Sequence, residues 1–102
     1  MLGDMMGNMQ AKQEEMKKQL ASIEFNVETE GLVVVATADR TIRNIHIPEA
    51  MMNDKEQVED LVITTVNKAI NRASEIEAEE SQKMLKEMLP PGMEGLLGGL
   101  DV

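Results

Sequence analysis

The chain has 102 residues, a formal net charge of -9 at pH 7, no cysteine, no Trp or Tyr, and a single Phe. That length suits one small domain with an aliphatic, Met-rich core, and the missing thiols exclude a disulfide scaffold, a cysteine nucleophile and cysteine-ligated metal. The charge argues against a generic polyanion binder. No apolar run approaches the roughly 20 residues of a membrane span, and the N-terminus lacks a secretory pattern, so a soluble cytoplasmic protein is the simplest expectation.

Residues 1–22 read as a first helix. Leu2, Met5, Met6, Met9, Met16, Leu20 and Ile23 fall near helical spacing, interrupted at Gln13. Gly3 and Gly7 weaken the first turns, and Glu14 and Lys18 are placed for an i,i+4 pair. Lys12, Lys17 and Lys18 balance Asp4, Glu14 and Glu15, whereas residues 54–102 carry most of the excess acid. The methionine stripe fits core or dimer packing better than it fits an adaptable binding groove.

Residues 23–30 alternate Ile23, Phe25, Val27 with Glu24, Asn26, Glu28, the period of a half-buried strand. Thr29, Glu30 and Gly31 supply a turn, with Gly31 suited to positive φ. Leu32–Ala38 is strongly β-forming, Asp39-Arg40 is the next turn, and Thr41–Ile47 gives a third strand before Pro48. Short strands joined by tight turns predict an antiparallel meander with one face on the helices.

Residues 53–89 then read as one long amphipathic helix of roughly 50 Å. Asn53 is the predicted N-cap, with Glu56 closing a capping box. Val58, Val62, Val66, Ala69, Ala73 and Ile76 form the apolar seam, widened by Leu61, Ile63 and Ile70. The seam then breaks at Glu80 and Lys83 before Met84, Leu85, Met88 and Leu89, so the second half of the helix is expected to project. Pro90 and Pro91 stop it, and residues 94–102 are expected to be a flexible tail. The predicted class is α+β in the order α-β-β-β-α: a single domain over residues 1–93, with its sheet at about 23–47, too small to bury much alone and therefore dimeric.

Signals of catalysis are close to absent. His46 is a lone strand histidine without a partner set, the Glu79/Glu80 pair reads as a solvated helix face, and no phosphate-cradling loop or zinc spacing occurs. No cofactor, metal or small-molecule substrate is expected. Lys68 and Arg72 stand at i,i+4, where like charges need compensation: Glu75 can pair with Arg72, or a phosphate or acidic partner can supply it. Asn67, Asn71 and Ser74 form a polar stripe alongside, able to donate to phosphate or to border an interface.

The Met- and Gln-rich first helix, Glu30–Val35, the alternating Ile42–Ile47, Asp54–Val62, Val66–Ile70 and Leu89–Met93 occur in an order and spacing that resembles the YbaB/EbfC family of bacterial nucleoid-associated proteins. Two departures are visible. Family members usually have a Gly in the turn filled here by Ala38, Asp39 and Arg40, which should alter the turn shape and leave the fold intact. They also commonly have an acidic residue where Lys68 follows Asn67.

The resemblance implies a tight homodimer with helices extending like tweezers, which binds double-stranded DNA, alters its conformation and sits in the cytoplasm at the nucleoid. The candidate phosphate contacts are Lys12, Lys17 and Lys18 on the first helix, Lys83 and Lys86 on the arm, and Lys68 with Arg72. The alternative is a protein-interaction module that uses the acidic arm and the Met-rich helix, which accounts better for the charge.

Overall fold

The computed structural model describes residues 2–88. The apolar positions Leu2, Met5 and Met6, the Pro90-Pro91 stop and the 94–102 tail lie outside the side chains and backbone it describes. The elements follow the predicted order: α1 (Leu2–Ser22), β1 (Glu24–Thr29), β2 (Leu32–Thr37), β3 (Thr41–His46), a short 3-10 turn at Glu49–Met51, and α2 (Lys55–Met88). The strands form one antiparallel sheet in the order β1-β2-β3.

The hairpin turns follow from the residues at their tips. Register pairs Thr29 with Leu32, leaving a two-residue loop in which Glu30 (φ 51°) and Gly31 (φ 96°) both take positive φ. That is the primed geometry matched to strand twist, and glycine adopts it freely. Between β2 and β3, Thr37 pairs with Thr41 across three residues. Arg40 closes this loop at φ 66°, donating its N–H to the Thr37 carbonyl at 3.0 Å. Three-residue hairpins end on such a left-handed residue, which explains the glycine preference there.

Alternation on β2 places Leu32, Val34 and Ala36 in full burial beneath α2, with Val33 and Val35 on the open face. Partners Phe25 and Val27 on β1 share the covered face. On β3 a bulge intervenes: Val35 pairs with Asn44 and Ala36 with Ile42, leaving Arg43 as the extra residue. This lets Ile42 and Ile45, three positions apart, both lie opposite buried residues of β2.

α2 packs over β1 and β2 and leaves β3 largely uncovered. Its buried line is Leu61, Thr65, Ala69, Ala73 and Ile76, while Val58, Val62 and Val66 are half-buried and Ile63 and Ile70 exposed. The first half of the helix is thus turned by about one residue from the predicted seam, while Ala69, Ala73 and Ile76 follow it. Thr65 makes this possible: it is β-branched like valine and donates its hydroxyl to the Leu61 carbonyl at 2.6 Å, so burial orphans nothing. A second cluster, Leu20, Ala38 and Ile76 with Met16 and Ile23, fixes the end of α1. Phe25 packs against both clusters.

The start of α2 differs from expectation by one residue. Asp54, not Asn53, is the cap: its Oδ1 accepts the Gln57 N–H at 3.1 Å and its carbonyl accepts the Val58 N–H at 3.1 Å. The 3-10 turn draws the Asp54 N–H onto the Met51 carbonyl, which leaves Asn53 inside the turn. Beyond Ile76 the helix runs past the sheet, giving extents of 62 × 33 × 16 Å and a radius of gyration of 18.8 Å, against about 13 Å for a compact domain of this length.

The capping geometry gives a direct comparison. Asp54→Ala should cost about 0.5–2 kcal/mol, whereas Asn53→Ala should stay within about 0.5 kcal/mol of the parent. Urea unfolding of both variants checks the assignment, and the reverse ranking would return the cap to Asn53.

Candidate nucleic-acid interface

Four of the seven candidate cations share one edge of α2. At about 100° per residue, Lys68, Arg72, Lys83 and Lys86 emerge within a narrow sector on the side that faces β1, where the Lys68 ammonium donates to the Thr29 hydroxyl at 3.1 Å. Glu75 and Glu79 lie between the two basic ends. Arg72 reaches both, at 3.0 and 3.7 Å, so compensation by Glu75 is present. Lys83 pairs with Glu80 at 3.2 Å, while Lys86 is exposed and has no carboxylate within 4 Å among the described residues. Lys68 and Lys86 stand about five turns, or about 27 Å, apart along the helix.

The first-helix lysines are not brought together. Lys12 and Lys17 emerge about 140° apart, on either side of the line through Met16 and Leu20, and Lys18 lies about 100° further round. Lys12 approaches Glu15 at 3.9 Å, and the predicted Glu14–Lys18 pair is not formed among the described ion pairs. α1 is nevertheless held to the arm. Gln19 Nε2 donates to Glu80 Oε2 at 2.6 Å, and the side chain of Glu80 is only 12% exposed.

Two arginines not singled out from sequence enter the geometry. Arg40 reaches from the β2–β3 turn across to α2, 3.0 Å from Glu77 Oε2 and 3.3 Å from the Ser74 hydroxyl, to which it donates. This absorbs Ser74 from the polar stripe and leaves Asn67 and Asn71 exposed. Arg43, at the bulge, is exposed and has no ion pair among the described residues. The presence of Arg40 in a turn that commonly carries glycine was the available signal for its role; nothing in the alternation of β3 marked Arg43.

The Thr37 hydroxyl donates to the Asp39 carboxylate within the same turn. That bond, foremost, holds Asp39 below its ordinary value of 3.8. Because the folded-state value is depressed, the contribution of Asp39 to the turn is complete at neutral pH and is lost as the pH falls through the acid range.

A second surface is apolar. Ile42 and Ile45 on β3 are 36% and 37% exposed, and Ile63 and Ile70 on α2 are 61% and 40% exposed. Ser74 faces the β2–β3 turn through Arg40. Ile70 and Ile63 precede it by about one and three turns on the same side, so they look toward the uncovered flank of β3. His46 is exposed on that edge strand, and among the described residues no group of three His, Cys, Asp or Glu could hold a metal ion. No described helix is long and apolar enough to cross a membrane.

The family model described as the YbaB/EbfC DNA-binding family matches residues 1–88. A nucleoid-associated protein of Flavobacterium johnsoniae is 33% identical over 103 residues, covering 91% of this chain and 97% of the relative. A nucleoid-associated protein of a Psychrobacter species is 34% identical over 98 residues, covering 92% of this chain and 89% of the relative.

The β2–β3 turn yields a test of its own. Arg40→Gly relieves a left-handed backbone that costs a non-glycine residue about 1–2 kcal/mol and loses an exposed ion pair worth about 0–1 kcal/mol, so it should be as stable as the parent or up to about 2 kcal/mol more stable. Arg40→Ala keeps the backbone cost and loses the pair. Thermal unfolding should therefore rank Ala below both Gly and Arg at this position, and an Ala variant at least as stable as the parent would show that the clasp contributes nothing.

Proposed function

The chain belongs to the YbaB/EbfC DNA-binding family, and from that premise we propose a non-enzymatic protein that binds double-stranded DNA through phosphate contacts, as a homodimer, and alters its conformation at the nucleoid. The observation that carries the phosphate contacts is the basic edge of α2. Lys68 and Arg72 at one end and Lys83 and Lys86 at the other offer two cationic poles on one side of a helix that protrudes from the sheet. Lys and Arg side chains without base-reading geometry bind the backbone and confer little sequence preference. The single Phe is half-buried against the core and the chain has no Trp or Tyr, so no set of such rings forms a base-stacking platform, which favours duplex over single strands.

The acidic body shapes the binding. Glu75 and Glu79 compete with phosphate for Arg72, so only part of the edge is available at once. Lys12, Lys17 and Lys18 fan around α1 and add contacts only where DNA wraps more than one side of the arm. The relatives named as nucleoid-associated proteins support the same location for this chain.

The homodimer draws its support from the isoleucine shelf. Four large aliphatic side chains beside an uncovered edge strand form an apolar surface that a second copy can match by a two-fold axis. With the shelf closed, two arms extend from one central body.

The DNA reading is tested by fluorescence anisotropy on a labelled duplex across a salt series. With about three to five phosphate contacts per dimer, log K should fall with log salt at a slope of about -3 to -5. Lys68→Glu with Lys86→Glu should flatten that slope and weaken binding at least tenfold at low salt. A dimer without binding at low salt would instead favour the protein-interaction alternative built on the acidic arm. For the assembly itself, Ile45→Asp with Ile70→Asp should give a folded monomer by light scattering. A dimer that persists would place the interface elsewhere.

A further inference from the structure

Between α1 and the outer half of α2 lies an open groove of about 960 Å³. Its floor is apolar: Met9, Met16 and Leu20 from α1 meet Met84 and Leu85 from α2. Its rim carries Lys12 and Lys17 together with Glu15, which lies 3.9 Å from Lys12, and Glu77, which is held by Arg40. Met9 and Leu85 are 62% and 54% exposed, a large apolar surface to leave open, with Lys17 on its rim outside any ion pair among the described residues. The methionine floor can adapt to an incoming helix or turn of irregular shape.

The sequence that follows α2 suits this groove. α2 is described to Met88, and Pro90, Pro91 and Gly92 come next, residues that end a helix and permit reversal. Met93, Leu96, Leu97 and Leu100 then follow at i, i+3, i+4 and i+7, the spacing that gathers side chains on one face of a helical segment. At the same periodicity Glu94 and Asp101 fall together beside that face. The reach is sufficient. Met84 and Glu77 lie about 6 and 17 Å back from Met88 along the helix, while Leu96 can extend up to about 27 Å from it. A tether this short raises the effective concentration of the segment at the groove to the order of millimolar.

We propose that residues 93–101 fold back into the α1–α2 groove of their own chain. Met93, Leu96, Leu97 and Leu100 seat on the Met9, Met16 and Met84 floor. Glu94 and Asp101 then lie against Lys12 and Lys17, where they compete with DNA phosphate. The seat is independent of the DNA reading above; the competition rests on it. The segment thereby acts as an internal substitute for the phosphate backbone and lowers the affinity of the arm for DNA.

The chain has no cysteine, so Gly99→Cys gives a unique site for a nitroxide spin label on the full-length protein. With methionine methyls isotopically labelled on the same chain, and that chain diluted in excess unlabelled parent, the Met9, Met16 and Met84 signals should broaden. Adding Leu96→Ser with Leu97→Ser, which leaves the charge unchanged, should remove the broadening. Absence of broadening, or broadening only when spin label and isotope sit on different chains, overturns the proposal and assigns the groove to another partner or a second copy. The serine pair, without the spin label, should also tighten DNA binding about three- to tenfold at low salt and steepen the salt slope by about 1 to 2. Unchanged affinity overturns the competition even where the seat is confirmed. If neither form binds DNA, the DNA reading and the competition fail together, while the methyl signals still decide the seat.

Discussion

The sole phenyl ring of the protein, Phe25, packs against both hydrophobic clusters of the described residues and joins the sheet to the root of the arm. One cluster is the sheet under α2, where Ala69 joins Leu32, Val34 and Ala36. The other is the root of the arm, where Leu20 and Ala38 meet Ile76. Small residues at Ala36, Ala38, Ala69 and Ala73 bring backbone close to backbone, so dispersion is gained from many short contacts rather than from bulky side chains. A core this thin fixes the first half of α2 firmly and leaves the second half to be guided by one cluster and by Gln19 on Glu80.

The same economy explains the surface. A helix that covers only two of three strands leaves isoleucines on its flank and on β3, and a helix longer than its sheet leaves a charged shaft beyond it. The net charge of -9 does not contradict nucleic-acid binding, because binding responds to the local field along one edge rather than to the sum. The carboxylates at positions 75, 79 and 80 hold neighbouring cations at 3.0–3.7 Å, which moderates the field that phosphate meets. At the phosphate contacts proposed above, such an edge is expected to release DNA readily as salt rises.

Element order, the two hairpins, the long second helix and its protrusion were all legible from sequence, because period, turn residues and broken seam agree with one another. What escaped was geometry that depends on neighbours. The capping role of Asp54 rests on the 3-10 turn before it, which the local pattern of two adjacent polar residues does not distinguish. The rotation of α2 onto Thr65 rests on a hydroxyl satisfied within its own helix, so a residue counted as polar behaves as valine. Arg40 takes a conformation usually left to glycine because its side chain finds Glu77 and Ser74 on a helix distant in sequence. On α1 the sequence grouped Lys12, Lys17 and Lys18 by proximity along the chain, and helical geometry separates them around its circumference.

Each strand of the sheet pairs only with its neighbour in sequence, through loops of two and three residues. The loss of chain entropy on closing such loops is small, and a meander of this kind belongs to the topologies with low contact order and rapid formation. The cluster of Leu20, Ala38 and Ile76 is different, since it draws together the end of the first helix, the second turn and the middle of the last helix. During synthesis the hairpins can therefore assemble while α2 is still incomplete, and α1, although made before them, must wait for Ile76 before its cluster with Ala38 is complete. Of the described elements, the earliest made is the last to be fully enclosed.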